Sequence, residues 1–288
     1  MIELITIGLP THNGAKTLED AIKSLLQQTY RDFKIIISDN NSDDETMFIC
    51  EKFSQLDSRV IYVRQEENIG ALGNFKYVLE RADTKYFMWA CDDDLWDPSF
   101  VAKLIQQLEI SDEYAFAVSL WQVVSRRYPF IRRFFIARMD FISNKDPKIR
   151  VKNYSSLPFN SFKDNLTFGV WRTWQLKEIM KISEMGVKYF SIGGVFNEYT
   201  LALCRGVVVN EVLFYKRYLS LPPGSFIYHV FKPLKLALNF FTGNSKGRRY
   251  PKYAGSDFEG DIRLVLRDAR MEDAFIEEIV EISRGIWP

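Results

Sequence analysis

The sequence predicts an α/β fold with a mostly parallel sheet flanked by helices, and three observations predict it. Short apolar runs alternate with amphipathic stretches four times within residues 1–110, the pattern of parallel strands joined by helical crossovers. The apolar runs are near-continuous, as strands covered on both faces require. Polar residues collect beyond the carboxyl end of each run: Thr11 and Asn13, Asp39 and Asn40, Asn68, then Asp92 to Asp94. Ligands of open α/β sheets bind at that edge, although loops are polar in any fold.

The first strand is Leu4-Ile-Thr-Ile-Gly-Leu9, ended by Pro10, and Thr11-His-Asn-Gly14 is a loop because Asn-Gly signals a turn. Thr17 and Asp20 form a capping box, and Leu18, Ala21, Ile22, Leu25 and Leu26 give the following helix one apolar face. Phe33 to Ser38 is the second strand. A second capping box, Ser42 with Glu45, opens a helix that places Ile49, Phe53 and Leu56 on one side. Val60 to Val63 is the third strand, and the turn at Asn68-Ile-Gly70 leads to a helix with Leu72, Phe75, Val78 and Leu79 inward.

The fourth strand, Tyr86-Phe-Met-Trp-Ala-Cys91, runs into three consecutive carboxylates, Asp92, Asp93 and Asp94. Three adjacent acids repel unless a cation joins them. A magnesium or manganese ion carrying a diphosphate suits such oxygen ligands. The bland alternative is a solvated acidic turn, with Asp97-Pro98 as N-cap and first residue of the next helix.

Composition narrows the classes. With 288 residues, 47% of them hydrophobic and 26% charged, the chain suits a soluble globular protein with a sizeable core. A net charge of +1 gives no global signal for nucleic acid. Cys50, Cys91 and Cys204 are far apart and odd in number, which suggests neither a disulfide framework nor a zinc site and fits a reducing, cytoplasmic compartment. The N-terminus enters a strand with no signal-peptide core, and no uncharged apolar run approaches the roughly 18–20 residues of a membrane span. Neither GxGxxG nor a Walker-type loop follows the first strand.

Several motifs, in order, resemble a known family. They are Ile7-Gly-Leu-Pro-Thr-His-Asn-Gly14, Ser24-Leu-Leu-Gln-Gln-Thr-Tyr30, Ser38-Asp-Asn-Asn-Ser-Asp-Asp44, Asn68-Ile-Gly70 with Asn74, and Cys91-Asp-Asp-Asp-Leu-Trp96. Together they resemble the nucleotide-sugar half of the inverting glycosyltransferases of family 2, which have the A-type glycosyltransferase fold. The resemblance implies a donor site built from Pro10, Thr11, Asn13, Asp39, Asn68, Asp92 and Asp93. Within it, Thr11 and Asp39 meet the base (a uracil or thymine NH suits Asp39), Asp93 meets the ribose, and Asp94 binds the Mn2+ or Mg2+ that bridges the diphosphate. The sequence departs from the family at Cys91, where an Asp is common, at Asp92, which is a spare acid, and at Asn40, where an acid is commoner. Which two of the three aspartates bind ribose and metal therefore stays open.

Farther along, Thr167 to Arg172 resembles the point where the family re-enters its sheet. Glu198, on the opening turn of an apolar helix, falls where the family carries its catalytic carboxylate. Its alternative is a helix-start acid favoured by the dipole. Lys216-Arg-Tyr218 resembles the basic tail of the same motif and is expected to meet the diphosphate. The resemblance fades beyond about residue 220.

Two basic stretches remain. Residues 126–138 carry five arginines among aromatics and no acid, and residues 212–256 carry eight basic residues and no acid. Either suits a solvated face or a surface for anionic lipid headgroups. Residues 257–284 reverse the sign, with nine acids against four arginines, and read as a terminal helix.

The expected organisation is a nucleotide-sugar-binding half over 1–110, an acceptor-side half over 111–220, and a C-terminal helical extension over 221–288. The expected activity is transfer of a sugar from a UDP- or dTDP-type donor to a hydroxyl, with inversion, on a glycan or lipid-linked acceptor. It would act in the cytoplasm, peripheral to the inner membrane face, in cell-surface polysaccharide assembly. A non-catalytic scaffold and a sugar nucleotidyltransferase are the alternatives, though the latter's Gly-rich basic loop is missing after strand one.

Overall fold

The computed structural model describes residues 4–125, 132–135, 139–157, 163–185, 194–218 and 256–286. Most of both basic stretches lies outside them, and so does the expectation of a lipid-facing surface there. Within the described residues, β1 (Ile5–Thr11), β2 (Phe33–Asp39), β3 (Val60–Arg64) and β4 (Tyr86–Trp89) alternate with α1 (Leu18–Leu26), α2 (Thr46–Leu56) and α3 (Gly70–Glu80). A two-residue β5 (Leu95–Trp96), α4 (Phe100–Leu108) and β6 (Tyr114–Ser125) follow. Next come β7 (Arg132–Phe135), α5 (Pro147–Ser156), β8 (Val170–Arg172), α6 (Thr173–Met180), α7 (Gly194–Leu203) and β9 (Arg205–Tyr218), then helices Ser256–Asp268 and Asp273–Ile286.

The strand order is β3-β2-β1-β4-β8-β6-β9-β5, with β7 paired to β6. β1 pairs in parallel with both β2 and β4. The chain thus winds outward from β1 to β3 and then crosses to the other side of β1, so the order reverses between β1 and β4. That reversal opens a crevice at the carboxyl ends of the two strands. The far half is mixed: β8 is antiparallel to β4 and β6, and β6 is parallel to β9. Ile5, Ile7, Leu9, Ile35, Ile37 and Tyr86 to Trp89 are fully buried. The uninterrupted apolar runs therefore do mark strands covered on both faces.

Several local expectations are corrected. Neither capping box forms. The Thr17 hydroxyl donates to the Gly14 carbonyl, leaving α1 without a side-chain cap. The Ser42 hydroxyl donates instead to the Asp39 carboxylate, and Asp44 accepts from the Thr46 backbone N–H at 2.9 Å where α2 begins. α2 buries Cys50 and Phe53, while Leu56 is 70% exposed. Asp97 is not the N-cap of α4: it accepts from the Ser99 N–H and hydroxyl, one turn before the helix.

The acidic terminal stretch forms two helices rather than one. Arg270, in the left-handed region at φ 59°, lies in the reversal between them. They dock on α5 and α7, with Lys148 pairing Glu272 and Lys152 pairing Glu278. No helix among the described residues is long and apolar enough to cross a membrane.

Arg217 joins the two halves of the sheet. Its Nη1 reaches Asp20 at 2.9 Å, Nη2 the Thr17 carbonyl at 3.0 Å, and Nε the Asp93 carbonyl at 2.7 Å. A buried guanidinium that satisfies carbonyls leaves them unpaired when removed. Arg217→Met is expected to cost on the order of 2–4 kcal/mol, measured by urea unfolding. An unchanged midpoint would contradict that role.

Candidate active site

The β1–β4 crevice holds a cleft of about 300 Å³ lined by Pro10, Thr11, His12, Asn40, Asn68, Ala71, Asn74, Phe75, Cys91, Asp92 and Asp93. Five of the expected residues therefore meet here: Pro10, Thr11, Asn68, Asp92 and Asp93. The carboxyl ends of β1 and β4 place four of them, the loop between β3 and α3 places Asn68, and hydrogen bonds then hold them. The Thr11 hydroxyl donates to Asp92 Oδ2 at 2.5 Å. Gly14 lies against that pair: a Cβ there would come within 2.4 Å of Asp92 Oδ2 and 2.5 Å of Thr11 Oγ1. Only a glycine lets the loop close over this bond. Burial pushes the Asp92 carboxyl upward, opposed by the Thr11 hydroxyl.

Asn74 pins the cleft floor. Its Nδ2 donates to the Ser38 carbonyl at 2.9 Å and the Thr11 carbonyl at 3.3 Å, and its Oδ1 accepts from the Ser38 hydroxyl at 2.5 Å. Asn40 donates to Asn68 Oδ1 at 2.9 Å and accepts from the Ile69 N–H at 2.9 Å, which ties the loop after β2 to the loop after β3. Ala71 and Phe75, one helical turn apart on α3, complete the wall. Sequence periodicity assigned Phe75 to the core. It packs there against Trp89 while its other side meets the cleft.

The other expected residues stand around the cleft rather than in it. Asp39 is fully buried behind it, accepting from the Ser42 N–H at 2.9 Å, the Ser42 hydroxyl at 2.5 Å and the Tyr62 hydroxyl at 3.1 Å. Asn13, at φ 55°, is exposed and accepts from the Asp43 N–H at 3.0 Å. Asp94 is 0% exposed: Oδ2 accepts from Lys216 Nζ at 2.8 Å and Oδ1 from the Arg217 N–H at 3.1 Å. Burial pushes its carboxyl up to about 7 against the pull of Lys216. Asp93 is the open member, with 34% of its side chain exposed and Lys216 Nζ 4.0 Å away.

The sulfur of Cys91 and carboxylate oxygens of Asp93 and Asp94 lie within 4.8 Å of one another. Burial pushes the Cys91 thiol well up, so it stays protonated and is a poor ligand for a hard cation. Two adjacent carboxylates, with substrate phosphates and water to complete the shell, do fit magnesium or manganese. Of the basic tail, Lys216 faces the acids, whereas Arg217 is committed internally.

Glu198 is not on an opening turn. It is the fifth residue of α7 and 3% exposed, and its Oε1 accepts from the Ser155 hydroxyl at 2.8 Å. Asn197 beside it joins Tyr154 and Thr167 at 3.1 Å each. α7 packs through Phe196 on Trp89, two residues before Cys91. A larger hollow of about 510 Å³ lies between α6, α7 and the Ser256–Asp268 helix, but its charged groups pair locally, Lys181 with Glu178 and Asp268 with the Tyr199 hydroxyl.

The model of glycosyl transferase family 2 matches residues 6–170, more than half of the chain. The chain belongs to glycosyltransferase family 2. Its fold agrees with that of S. aureus TarS in complex with UDP-GlcNAc: the TM-score is 0.65 at 15% identity, covering 98% of this chain and 71% of that one. The mannosyltransferase PcManGT from Pyrobaculum calidifontis, in complex with GDP-Man and Mn2+, aligns with a TM-score of 0.50 at 13% identity, over 99% of this chain and 74% of that one. These likenesses identify the A-type glycosyltransferase fold. In sequence, WfgD of Escherichia coli, a UDP-Glc:alpha-D-GlcNAc-diphosphoundecaprenol beta-1,3-glucosyltransferase, is 32% identical over 93 residues, 32% of this chain and 36% of its own. The segments matched span less than half the length of the curated relatives.

Proposed function

We propose that this family 2 protein transfers a sugar from a nucleotide-diphosphate donor, of UDP or dTDP type, to a hydroxyl acceptor with inversion at the anomeric carbon. The observation that carries the reading is the junction of the Thr11–Asp92 pair with Asp93 in one cleft, where the strand order reverses between β1 and β4. On this reading, Asp39 and the Asn40–Asn68 pair back the base subsite. Asp92, oriented by Thr11, takes the ribose hydroxyls in place of Asp93. Asp93 and Asp94 would hold a manganese or magnesium ion. Such an ion, when bound, neutralises the diphosphate and carries the charge that develops on it as the leaving group.

Glu198 is proposed to accept the proton of the acceptor hydroxyl while that oxygen bonds to the anomeric carbon. The carbon–oxygen bond to the diphosphate breaks on the opposite face, which inverts the configuration. Ser155 orients the carboxylate. Residues 1–110 would then serve the donor and residues 111–220 the acceptor. A lipid-diphosphate-linked glycan at the inner membrane face is the proposed acceptor class, supported by the activity of WfgD. It is further supported by the basic, aromatic stretches of the sequence, which suit an anionic surface.

The test is to incubate the protein with UDP- and dTDP-sugars, Mn2+ and a synthetic undecaprenyl-diphosphate-linked N-acetylhexosamine. A product whose anomeric configuration by NMR is opposite to that of the donor is expected. Retained configuration would overturn the inverting mechanism, and failure to transfer from any donor would favour a scaffold role.

A further inference from the structure

Strand pairing fixes where Lys216 sits. β5 runs antiparallel to β9 with Leu95 opposite Tyr215 and Trp96 opposite Phe214, so Asp94, just before β5, comes opposite Lys216. Its ammonium is 2.8 Å from Asp94 Oδ2, 4.0 Å from Asp93 Oδ1 and 5.3 Å from the centre of the Phe168 ring. The two carboxylates assigned above to the metal are therefore already bridged by a cation of the chain itself. We propose that Lys216 is a gatekeeping cation: it holds Asp93 and Asp94 in the free protein and releases them to the metal when a nucleoside diphosphate offers its ammonium another anion.

A lysine suits this exchange. Its point charge on a flexible four-carbon stem can swing between carboxylates and phosphate oxygens. The neighbouring Arg217 cannot, because its guanidinium is anchored to Asp20, Thr17 and Asp93. A metal entering alone would have to displace the ammonium into a site with no compensating anion. A metal entering with a diphosphate would not. Metal and nucleotide should therefore bind with positive coupling, each raising the other's affinity by the same factor. This inference rests on the reading of Asp93 and Asp94 as the metal-holding pair.

The experiment measures Mn2+ binding by electron paramagnetic resonance at pH 8, with and without UDP, dTDP or GDP, for the wild type, Lys216→Met and Lys216→Gln. A protein-free titration corrects for Mn2+ held by the nucleotide itself, and thermal melts verify that the variants fold. In the wild type, the nucleotide that binds is expected to raise Mn2+ affinity about tenfold or more. In either folded variant, Mn2+ affinity without nucleotide should rise about tenfold and the coupling should shrink. Unchanged nucleotide-free affinity in a folded variant, with coupling intact in the wild type, would overturn the gatekeeping role and leave the site assignment standing. No Mn2+ binding by any form, with or without nucleotide, would remove the site assignment as well. Should neither variant fold, equal wild-type Mn2+ affinity with and without nucleotide overturns the proposal.

Discussion

Glu198→Gln should lower sugar transfer about a thousandfold while leaving nucleotide affinity within about twofold, since a positioned general base contributes roughly 10²–10⁴-fold. The substitution keeps size and shape, and the amide oxygen still accepts from the Ser155 hydroxyl now 2.8 Å from Oε1. What it removes is proton affinity. Glu198 is buried on α7 and separate from the donor cleft, so donor binding is expected to survive. The checks are turnover with acceptor present and calorimetric titration of UDP. Unimpaired transfer would make Glu198 a structural acid that ties α7 to α5. Ser155→Ala should give a smaller loss of the same kind, because it removes one orienting hydrogen bond and keeps the carboxylate.

Asp93→Asn should reduce metal-dependent donor binding by about a hundredfold without altering the melting temperature. Two features separate it from its neighbour. Its side chain is the exposed member of the pair, and it touches Lys216 only at 4.0 Å, so little folding energy rides on its charge. Asp94→Asn should differ: the buried ammonium of Lys216 would lose its 2.8 Å partner. Breaking a buried pair costs about 3 kcal/mol. That variant should therefore lose stability along with binding. Equal, full donor binding by both variants would contradict the assignment of these carboxylates. Melting curves with and without UDP and Mn2+ distinguish the two cases.

The first hundred residues were legible because their signals are local. Apolar runs of strand length, amphipathic spacing and turn residues give the β1 to β4 pattern, and the polar strand ends gather as an open sheet requires. The capping boxes misled because a hydroxyl placed for capping was claimed by a loop bond, as Ser42 was by Asp39. Both competitors lie only three residues upstream, Asp39 of Ser42 and Gly14 of Thr17, so the same local sequence offers the hydroxyl two partners. Lys216 and Arg217 could be read as basic but not assigned: the pairing of β5 with β9 brings one to Asp94, and the other reaches Asp20 across nearly 200 residues of chain. The burial of Glu198 was invisible for the same reason, since Ser155 and Phe196–Trp89 contacts come from distant segments. Charge counting found the acidic terminal stretch, but not that Arg270 at positive φ lies in the turn that divides it into two helices.

The central claim is that the β1–β4 cleft binds a nucleoside diphosphate through its aspartates. Isothermal titration of UDP, dTDP and GDP into the protein, each with and without Mn2+, tests it most directly. One uracil or thymine nucleotide binding at micromolar affinity with Mn2+, and at least about tenfold more weakly without it, is the expected result. Preference for GDP would contradict the UDP- or dTDP-type donor, and no heat with any nucleotide would contradict the donor site itself.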